Sequence, residues 1–208
     1  EKSGGEAYLV FGRDSWSDIN ITSSELKNQY AITYYGNTKF GIVGEGLVAM
    51  GDMNGDTIPD FLVAEPNYNL TEGGREGRSV LIWGGTHLQP PQINTPIELT
   101  LDDIPESQRL MILDTPFNGF NANTPFVSLT DINNDGIRDF AIGIASKKGL
   151  DGQVTVFFGK TIWPATIDLN ALNASEGFVF KYSEQEENED IWQYLGLDLA
   201  IGDLNGDG

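Results

Sequence analysis

The chain reads DMNGDTIPD at residues 52–60 and DINNDGIRD at residues 131–139, two copies of one acidic nonapeptide. In each copy, oxygen-bearing side chains occupy the first, third, fifth and ninth positions. Apolar runs flank both copies, GLVAM and DFLVA around the first and FVSL and DFAIGIA around the second. Runs without polar alternation are typical of strands buried on both faces. The sequence therefore predicts an acidic turn that joins two core strands.

The spacing of these oxygen atoms favours Ca²⁺ as the ligand of the turn. Calcium takes about six to eight oxygen ligands, which side chains, one backbone carbonyl and water supply in loops of this kind. A third copy begins with DLNGDG at residues 203–208. The predicted ligands are the alternating side chains of each copy and, in the first two, one carbonyl: Asp52, Asn54, Asp56, Ile58 and Asp60; Asp131, Asn133, Asp135, Ile137 and Asp139; Asp203, Asn205 and Asp207.

The three copies are not equivalent. The second copy has Gly136 at the sharp turn, whereas the first has Thr57. A β-branched residue at positive φ costs about 1 kcal/mol or more, so we expect the first loop to be distorted or weaker. The third copy, DLNGDG, supplies only the first six positions of the nonapeptide and lacks the ninth, so we expect it to be an incomplete site.

Two other interpretations of the nonapeptide compete with the calcium loop. An EF-hand needs flanking helices and a carboxylate at the twelfth position, and those positions hold Val63 and Ile142. A metal-free turn is the other interpretation, since Asp, Asn and Gly are common in turns. Three copies in register favour calcium over both.

A longer repeat surrounds the acidic copies. Three aromatic and β-branched segments end in a glycine, and these glycines, Gly12, Gly84 and Gly159, are 72 and 75 residues apart. Each is followed by a short match and then by another apolar segment, which predicts outer hairpins. In chain order the three elements are EAYLVFG, INI and QYAITYYG; RSVLIWG, IEL and RLMILD; QVTVFFG, IDL and GFVFKYS.

One repeat unit therefore contains four strands, with the acidic loop joining the inner two. Such a unit is a β-propeller blade of four antiparallel strands, and the fold class is all-β. Helix content is expected to be low, because SSELKNQ at 23–29 and the Glu-rich residues 184–190 are the helical candidates.

Four short motifs carry a resemblance to a known family. Phe40-Gly41 and Ala64-Glu65-Pro66 stand where that family has its FG and GAP motifs, and Gly143-Ile144-Ala145 and Leu195-Gly196 are looser echoes. With these motifs the chain resembles the FG-GAP repeat family, the seven-bladed propeller of integrin α subunits and of many bacterial surface and secreted proteins.

The resemblance implies an incomplete part of a roughly seven-bladed ring. Residues 1–36 would form the outer hairpin of a first blade, 37–113 a second blade, 114–183 a third and 184–208 the start of a fourth. Uncovered blade faces and strand edges invite association. We therefore expect the residues to be a piece of a longer protein, or to pair with remaining blades of the same or another chain.

Composition excludes several classes of function. The chain has 31 acidic and 12 basic side chains, and a net charge of −19 disfavours nucleic acid and anionic membranes as partners. It has no cysteine, so disulfides and thiolate zinc sites are ruled out. No apolar run approaches the roughly 18 residues of a membrane span, and the opening EKSGGEA lacks the apolar core of a signal peptide.

The function that we favour is a binding or adhesion module in which Ca²⁺ rigidifies loops and the opposite face recognises a protein or carbohydrate ligand. By the resemblance, recognition would fall to residues 36–45, 66–77, 114–125, 146–151 and 184–194. Four aromatic residues are candidate contact anchors, although each also suits packing between blades: Tyr68, Phe117, Phe120 and Trp192.

Two alternatives remain open. The chain would be the propeller part of a secreted calcium-dependent polysaccharide lyase or hydrolase, or a structural spacer of a surface protein. No nucleophile motif stands out. With so many acidic residues, a pair of carboxylates is no specific indication of glycoside chemistry. The single histidine, His87, is predicted to be a surface residue in a turn. Loops with millimolar-range calcium affinity fill only where calcium is plentiful, which predicts an extracellular, cell-surface or periplasmic location.

Overall fold

The structure is a computed structural model of the chain. It describes residues 4–15, 18, 20, 24–37, 41–71, 74–92, 94–114, 126–144, 152–181 and 195–202. These residues are mostly β, which confirms the all-β class. The strands are β1 (Glu6–Val10), β2 (Ala31–Tyr35), β3 (Leu47–Gly51), β4 (Asp60–Thr71), β5 (Gly74–Ile82), β6 (Ile97–Thr100), β7 (Arg109–Asp114), β8 (Phe126–Ser128), β9 (Phe140–Ile144), β10 (Gln153–Phe157), β11 (Thr166–Asp168) and β12 (Gly177–Lys181).

The strands form three sheets. The first has the order β1-β2-β6, the second β11-β7-β5-β4-β3 and the third β12-β10-β9-β8. β3, β4, β5 and β7 are antiparallel neighbours, as are β8, β9, β10 and β12. Each of these two groups has the order expected for the predicted four-stranded unit.

The apolar runs of the sequence become these strands because their side chains fill two cores. One core lies between the second and third sheets and includes Leu62, Phe140 and Phe157. The rings of Phe140 and Phe157 stack with their centroids 4.8 Å apart. The other core lies between the first and second sheets and includes Tyr34 and Val80. Successive sheets therefore pack face to face along the chain.

The short matches IEL and IDL form strands whose positions in the sheets the sequence did not predict. IEL becomes β6, which pairs in parallel with β2, and IDL becomes part of β11, which pairs in parallel with β7. Each short strand thus joins the sheet of the preceding repeat and covers the edge of its outer hairpin. Consequently β6 belongs to the first sheet, although the partition at 36/37 assigns it to the second unit. Of the matching INI at residues 19–21, only Asn20 belongs to the described residues.

Helix is limited to short segments in the part of the chain that is described. One α-helix, α1, spans Ser24–Gln29 and confirms the first helical candidate, while residues 184–190 lie outside the described residues. Two 3-10 turns lie at Glu106–Gln108 and Leu169–Ala171. None of the described helices has the length and apolar character needed to cross a lipid bilayer.

A buried ion pair fixes the end of the second sheet opposite its acidic loop. Arg78 and Glu65 are both 0% exposed, and Arg78 Nε donates to Glu65 Oε2 at 2.8 Å. The Arg78 guanidinium also donates two hydrogen bonds to Asp102, which accepts a further hydrogen bond from Asn37 Nδ2. Because Asp102 follows β6, this network ties the first sheet to the second.

Candidate metal centre

The first acidic loop links β3 to β4 and folds around the carboxylate of Asp52. Oδ1 of Asp52 accepts the backbone N–H groups of Gly55 at 2.7 Å and Asp56 at 3.1 Å, and Oδ2 accepts that of Thr57 at 2.7 Å. Asp56 Oδ1 in turn accepts the amide of Ile58 at 2.8 Å. These local bonds favour the tight turn over an extended chain.

The second acidic loop links β8 to β9 and repeats the same geometry. Asp131 accepts the amides of Asp135 at 3.0 Å and Gly136 at 2.6 Å, and Asp135 accepts that of Ile137 at 2.9 Å. In both loops the asparagine at the third position accepts the amide of the fifth residue and donates its Nδ2 to the carboxylate there. Two unconnected segments have therefore reached one arrangement.

The ninth-position aspartates anchor both loops to the core. Asp60 is 2% exposed and accepts the amides of Met53 and Gly84, each at 2.7 Å. Asp139 is 0% exposed and accepts the corresponding amides of Ile132 and Gly159. Each aspartate thus joins its loop to the end of the strand that lies beside it.

Burial and neighbouring carboxylates disfavour the charged form of both ninth-position aspartates. Burial, opposed by the bonded amides of Gly84 and Met53, raises the pKa of Asp60 to about 6, and the charges of Asp56 and Asp52 raise it further. Burial likewise raises the pKa of Asp139, again with opposing amides and neighbouring carboxylates. Crowded anions of this kind are relieved by protons or by a bound cation.

Thr57 has the positive φ considered for this turn, but the loop is not distorted as expected, and its weaker binding stays a prediction. Thr57 has φ 72°, in the left-handed region that glycine occupies at the matching position, where Gly136 has φ 89°. The Thr57 amide nevertheless reaches Asp52 as the Gly136 amide reaches Asp131. The first loop therefore keeps the geometry of the second with a residue that disfavours it.

The donor set of each loop fits a hard cation by its chemistry, since carboxylate, amide and carbonyl oxygens are what calcium prefers. Among the described residues, however, no three acidic or histidine side chains converge as a ready-made metal cluster. The loop carboxylates instead accept amide hydrogens from their own turn. Ile58 and Ile137, whose carbonyls were predicted ligands, occupy the seventh position of their loops, two residues after the fifth-position aspartate.

The third predicted site lies outside the described residues, because Asp203, Asn205 and Asp207 fall in 203–208. The same holds for Phe117, Phe120 and Trp192. Of the predicted recognition segments, 114–125, 146–151 and 184–194 lie almost or wholly outside as well.

The remaining predicted residues have structural surroundings. The ring of Tyr68 lies under the Arg78 guanidinium, whose carbon is 3.7 Å from the ring centroid. Residues 66–71 continue β4 and 74–77 continue β5, so the described residues of segment 66–77 belong to strands rather than to an irregular loop. His87 is exposed in a turn, as the sequence predicts.

Two residues of the site were not predicted as part of it. Gly84 and Gly159 donate the amides that the ninth-position aspartates accept. A Cβ on Gly84 would overlap the carbonyl oxygen of Pro59, and one on Gly159 that of Arg138. The recurring glycine at the strand end was the available signal, and the structure now explains it by this close approach.

Residues of the third sheet and its connecting segments also contact the first loop and the end of β3. Trp163 Nε1 donates to the carbonyl oxygen of Met53 at 2.9 Å, and Ser128 Oγ donates to that of Met50. The side chain of Arg138 lies across Gly51. The first loop and the end of β3 are therefore packed directly against residues of the third sheet and its connecting segments.

Comparison of the sequence with protein-family models gives no match, and a search of curated proteins gives no significant match either. The functional interpretation therefore depends on the residues and the geometry described above.

Proposed function

We propose that the chain is a calcium-stabilised extracellular binding module of propeller type, and that its metal ions are structural. The observation that carries the proposal is the shared geometry of the two acidic loops, each held between adjacent antiparallel core strands. A calcium ion at each loop would neutralise clustered carboxylates and stiffen the connection between the inner strands.

The sheet orders support blades of the FG-GAP type as the finer architecture. In both complete four-stranded groups, the acidic loop joins the first two strands and an outer hairpin follows. Face-to-face packing of successive sheets is the arrangement of neighbouring blades in a propeller. A ring of about seven blades is part of this proposal.

The ligand would bind at the end of the sheets opposite the acidic loops. The hairpin at 66–77 extends β4 and β5 beyond the Arg78–Glu65 pair at this end. A hairpin anchored by a buried ion pair is a suitable platform for contact with a protein or carbohydrate. Extracellular, cell-surface or periplasmic calcium would fill loops of modest affinity, so we propose one of these locations.

Calorimetry and thermal unfolding test the metal assignment. We expect a calcium dissociation constant of about 10⁻⁴–10⁻³ M, a melting temperature that rises with calcium, and a lower one in chelator. The double variant Asp56→Asn/Asp135→Asn keeps side-chain shape, removes two charges and should weaken binding about tenfold. The matched control Asp14→Asn changes an exposed acid outside the loops and should leave affinity unchanged. No binding heat and an unchanged melting temperature in chelator would refute the proposal.

An activity screen separates the binding module from the alternative of a calcium-dependent enzyme. We expect no turnover of polysaccharides or phosphodiesters by the chain in calcium buffer. Reproducible turnover that depends on one acid outside the acidic loops would establish catalysis instead.

A further inference from the structure

The free edge of β1 is open where the same strand of the other repeats is covered. Among the described residues, no strand pairs with the outer edge of β1, and the nearest bridge, Gly5 to Val43, lies just before the strand, whereas its counterparts β5 and β10 have neighbours on both sides. Val10 of β1 is 41% exposed, while the matching Ile82 and Phe157 are 1% and 0% exposed. In those repeats the covering strands are β4 and β9, each of which follows an acidic loop.

A second open surface lies on β3. Leu47 is 55% exposed, although the matching residue of the third sheet, Phe126, is only 7% exposed. Phe126 belongs to the core shared with the second sheet, against which β8 packs. By the same arrangement, a strand preceding an acidic loop would cover Leu47.

The two open surfaces meet in one groove. It has a volume of about 210 Å³ and is lined by Ala7, Tyr8 and Leu9 of β1 and by Leu47 and Ala49 of β3, among others. The groove therefore adjoins both the unpaired strand edge and the exposed apolar face. One occupant with two strands would cover both.

The backbone of β1 has the pattern needed to receive a strand. The Phe11 amide donates to the carbonyl of Tyr30, which immediately precedes β2, as the amides of Trp83 and Phe158 donate to the residues that immediately precede β7 and β12. Amide directions alternate along a strand. The amides of Val10 and Gly12 therefore point to the open edge.

Gly12 gives the most specific indication of what would bind at the edge of β1. Its counterparts Gly84 and Gly159 donate to the ninth-position aspartate of an acidic loop and have no room for a Cβ. A Cβ on Gly12 meets nothing within 4 Å. The position thus has the residue that an incoming acidic loop requires, without such a loop among the described residues.

We infer that the open edge of β1 and the adjoining groove bind a further strand–acidic loop–strand unit of this repeat pattern. The strand after the loop pairs antiparallel with β1, its ninth-position aspartate accepts the Gly12 amide, and the strand before the loop packs on Leu47. Both complete units of the described chain already pair within their own sheets, so the occupant is an additional unit. The inference rests on the propeller architecture of the proposed function and deepens it, because it names what pairs with β1.

A peptide with the sequence of residues 126–144, which contains β8, the second acidic loop and β9, tests this inference in trans. Labelled peptide is titrated into the full 208-residue chain in calcium buffer, with fluorescence anisotropy as the readout. We expect saturable binding, and hydrogen exchange at Val10 and Gly12 should slow at least tenfold. A scrambled peptide should do neither.

Two variants of the chain locate the binding site. Gly12→Ala adds a methyl group that meets nothing in the free chain, so its thermal unfolding should be unchanged while its peptide affinity falls at least tenfold. Val10→Pro removes an edge amide and should also abolish binding, whereas Val10→Thr keeps the amide and the β-branched shape and should bind normally.

Three results would overturn the inference. The first is failure of the native peptide to bind the unmodified chain, and the second is undiminished binding by Gly12→Ala. The third is sedimentation that shows a dimer with protected β1 amides which the peptide does not displace, because a second copy of the chain would then occupy the edge.

Discussion

At the scale of single residues, the two acidic loops form a natural comparison. The two loops have corresponding hydrogen bonds, and both have positive φ at the turn. They differ in the residue there, which is Thr57 in the first loop and Gly136 in the second. A Cβ on Gly136 meets nothing within 4 Å, so the cost of a side chain there comes from the backbone alone. The difference between the loops is therefore local strain rather than packing.

Exchange of these two residues should move stability in opposite directions. Thr57→Gly relieves the strained backbone and should raise the free energy of unfolding by about 0.5–1 kcal/mol, after the greater chain entropy of glycine is counted. Gly136→Thr should lower it by about 1 kcal/mol or more. Urea unfolding in chelator measures both without a metal contribution. A destabilised Thr57→Gly variant would contradict the strain assignment.

At the scale of elements, the ion pair between β4 and β5 joins neighbouring strands inside the protein. Arg78 and Glu65 are fully buried, so the charge of Glu65 is compensated by Arg78, and that of Arg78 by Glu65 and Asp102. Removal of one partner from such a pair is far more costly than replacement of both. The pair therefore holds the hairpin end of the second sheet in place.

Arg78→Met should lower the free energy of unfolding by about 3–5 kcal/mol, because Glu65 stays buried without its counter-ion. The double variant Arg78→Met/Glu65→Gln should recover a large part of this loss. Lys160→Met is the matched control, since it removes a partly exposed pair with Glu176 and should cost less than about 1 kcal/mol. A similar cost for the two single variants, measured by urea unfolding, would refute the role of burial.

The pH dependence of stability should report on Asp102, which joins the strands to this pair. Partial burial favours its neutral form, but the hydrogen bonds and charge of Arg78 outweigh burial, so the pKa of Asp102 lies below its ordinary value. The unfolded chain then binds the proton more readily. The contribution is complete above the ordinary Asp pKa of about 3.9 and is lost as pH falls through the folded-state pKa.

We therefore compare the melting temperatures of the wild-type chain and Asp102→Asn across pH. The wild-type advantage should be constant near neutral pH and shrink once the pH falls below about 4. An advantage that grows with acidity would contradict the lowered pKa.

The elements also show how far the sequence determines the structure. Long apolar runs predicted nearly all strands, because burial on both faces leaves a clear pattern. The hairpin at 66–77 was read as a loop since NYNLTEGGREG contains turn-forming residues, and Pro66 sits beside a register shift between Glu65 and Asn69. The partners of β6 and of Gly84 were not predictable, because pairing direction and contacts distant in sequence leave no local pattern.

At the scale of the whole molecule, the outer edges of the three sheets differ. β6 covers the edge of β2 and β11 covers that of β7, whereas no such strand covers β12 among the described residues. Phe178 and Phe180 of β12 are 40% and 55% exposed. An apolar, unpaired edge is a template for pairing with another chain.

Phe180→Lys should therefore reduce self-association of the chain. A charge on an exposed edge strand opposes edge-to-edge pairing, so light scattering on incubation should fall by about half or more. Ile162→Lys is the matched control, because Ile162 is 84% exposed but lies in a turn away from a strand edge. An equal decrease for both variants would indicate a general effect of charge.

The backward pairing of β6 and β11 has a genetic consequence. The second and third repeats each contribute a short strand to the sheet of the preceding repeat, so neither has all of its described strands in one sheet. A deletion or duplication in the coding region can preserve the architecture only when its two endpoints fall at the same phase of the pattern. The next repeat then supplies the short strand, and the number of repeats can change without disruption of the sheets.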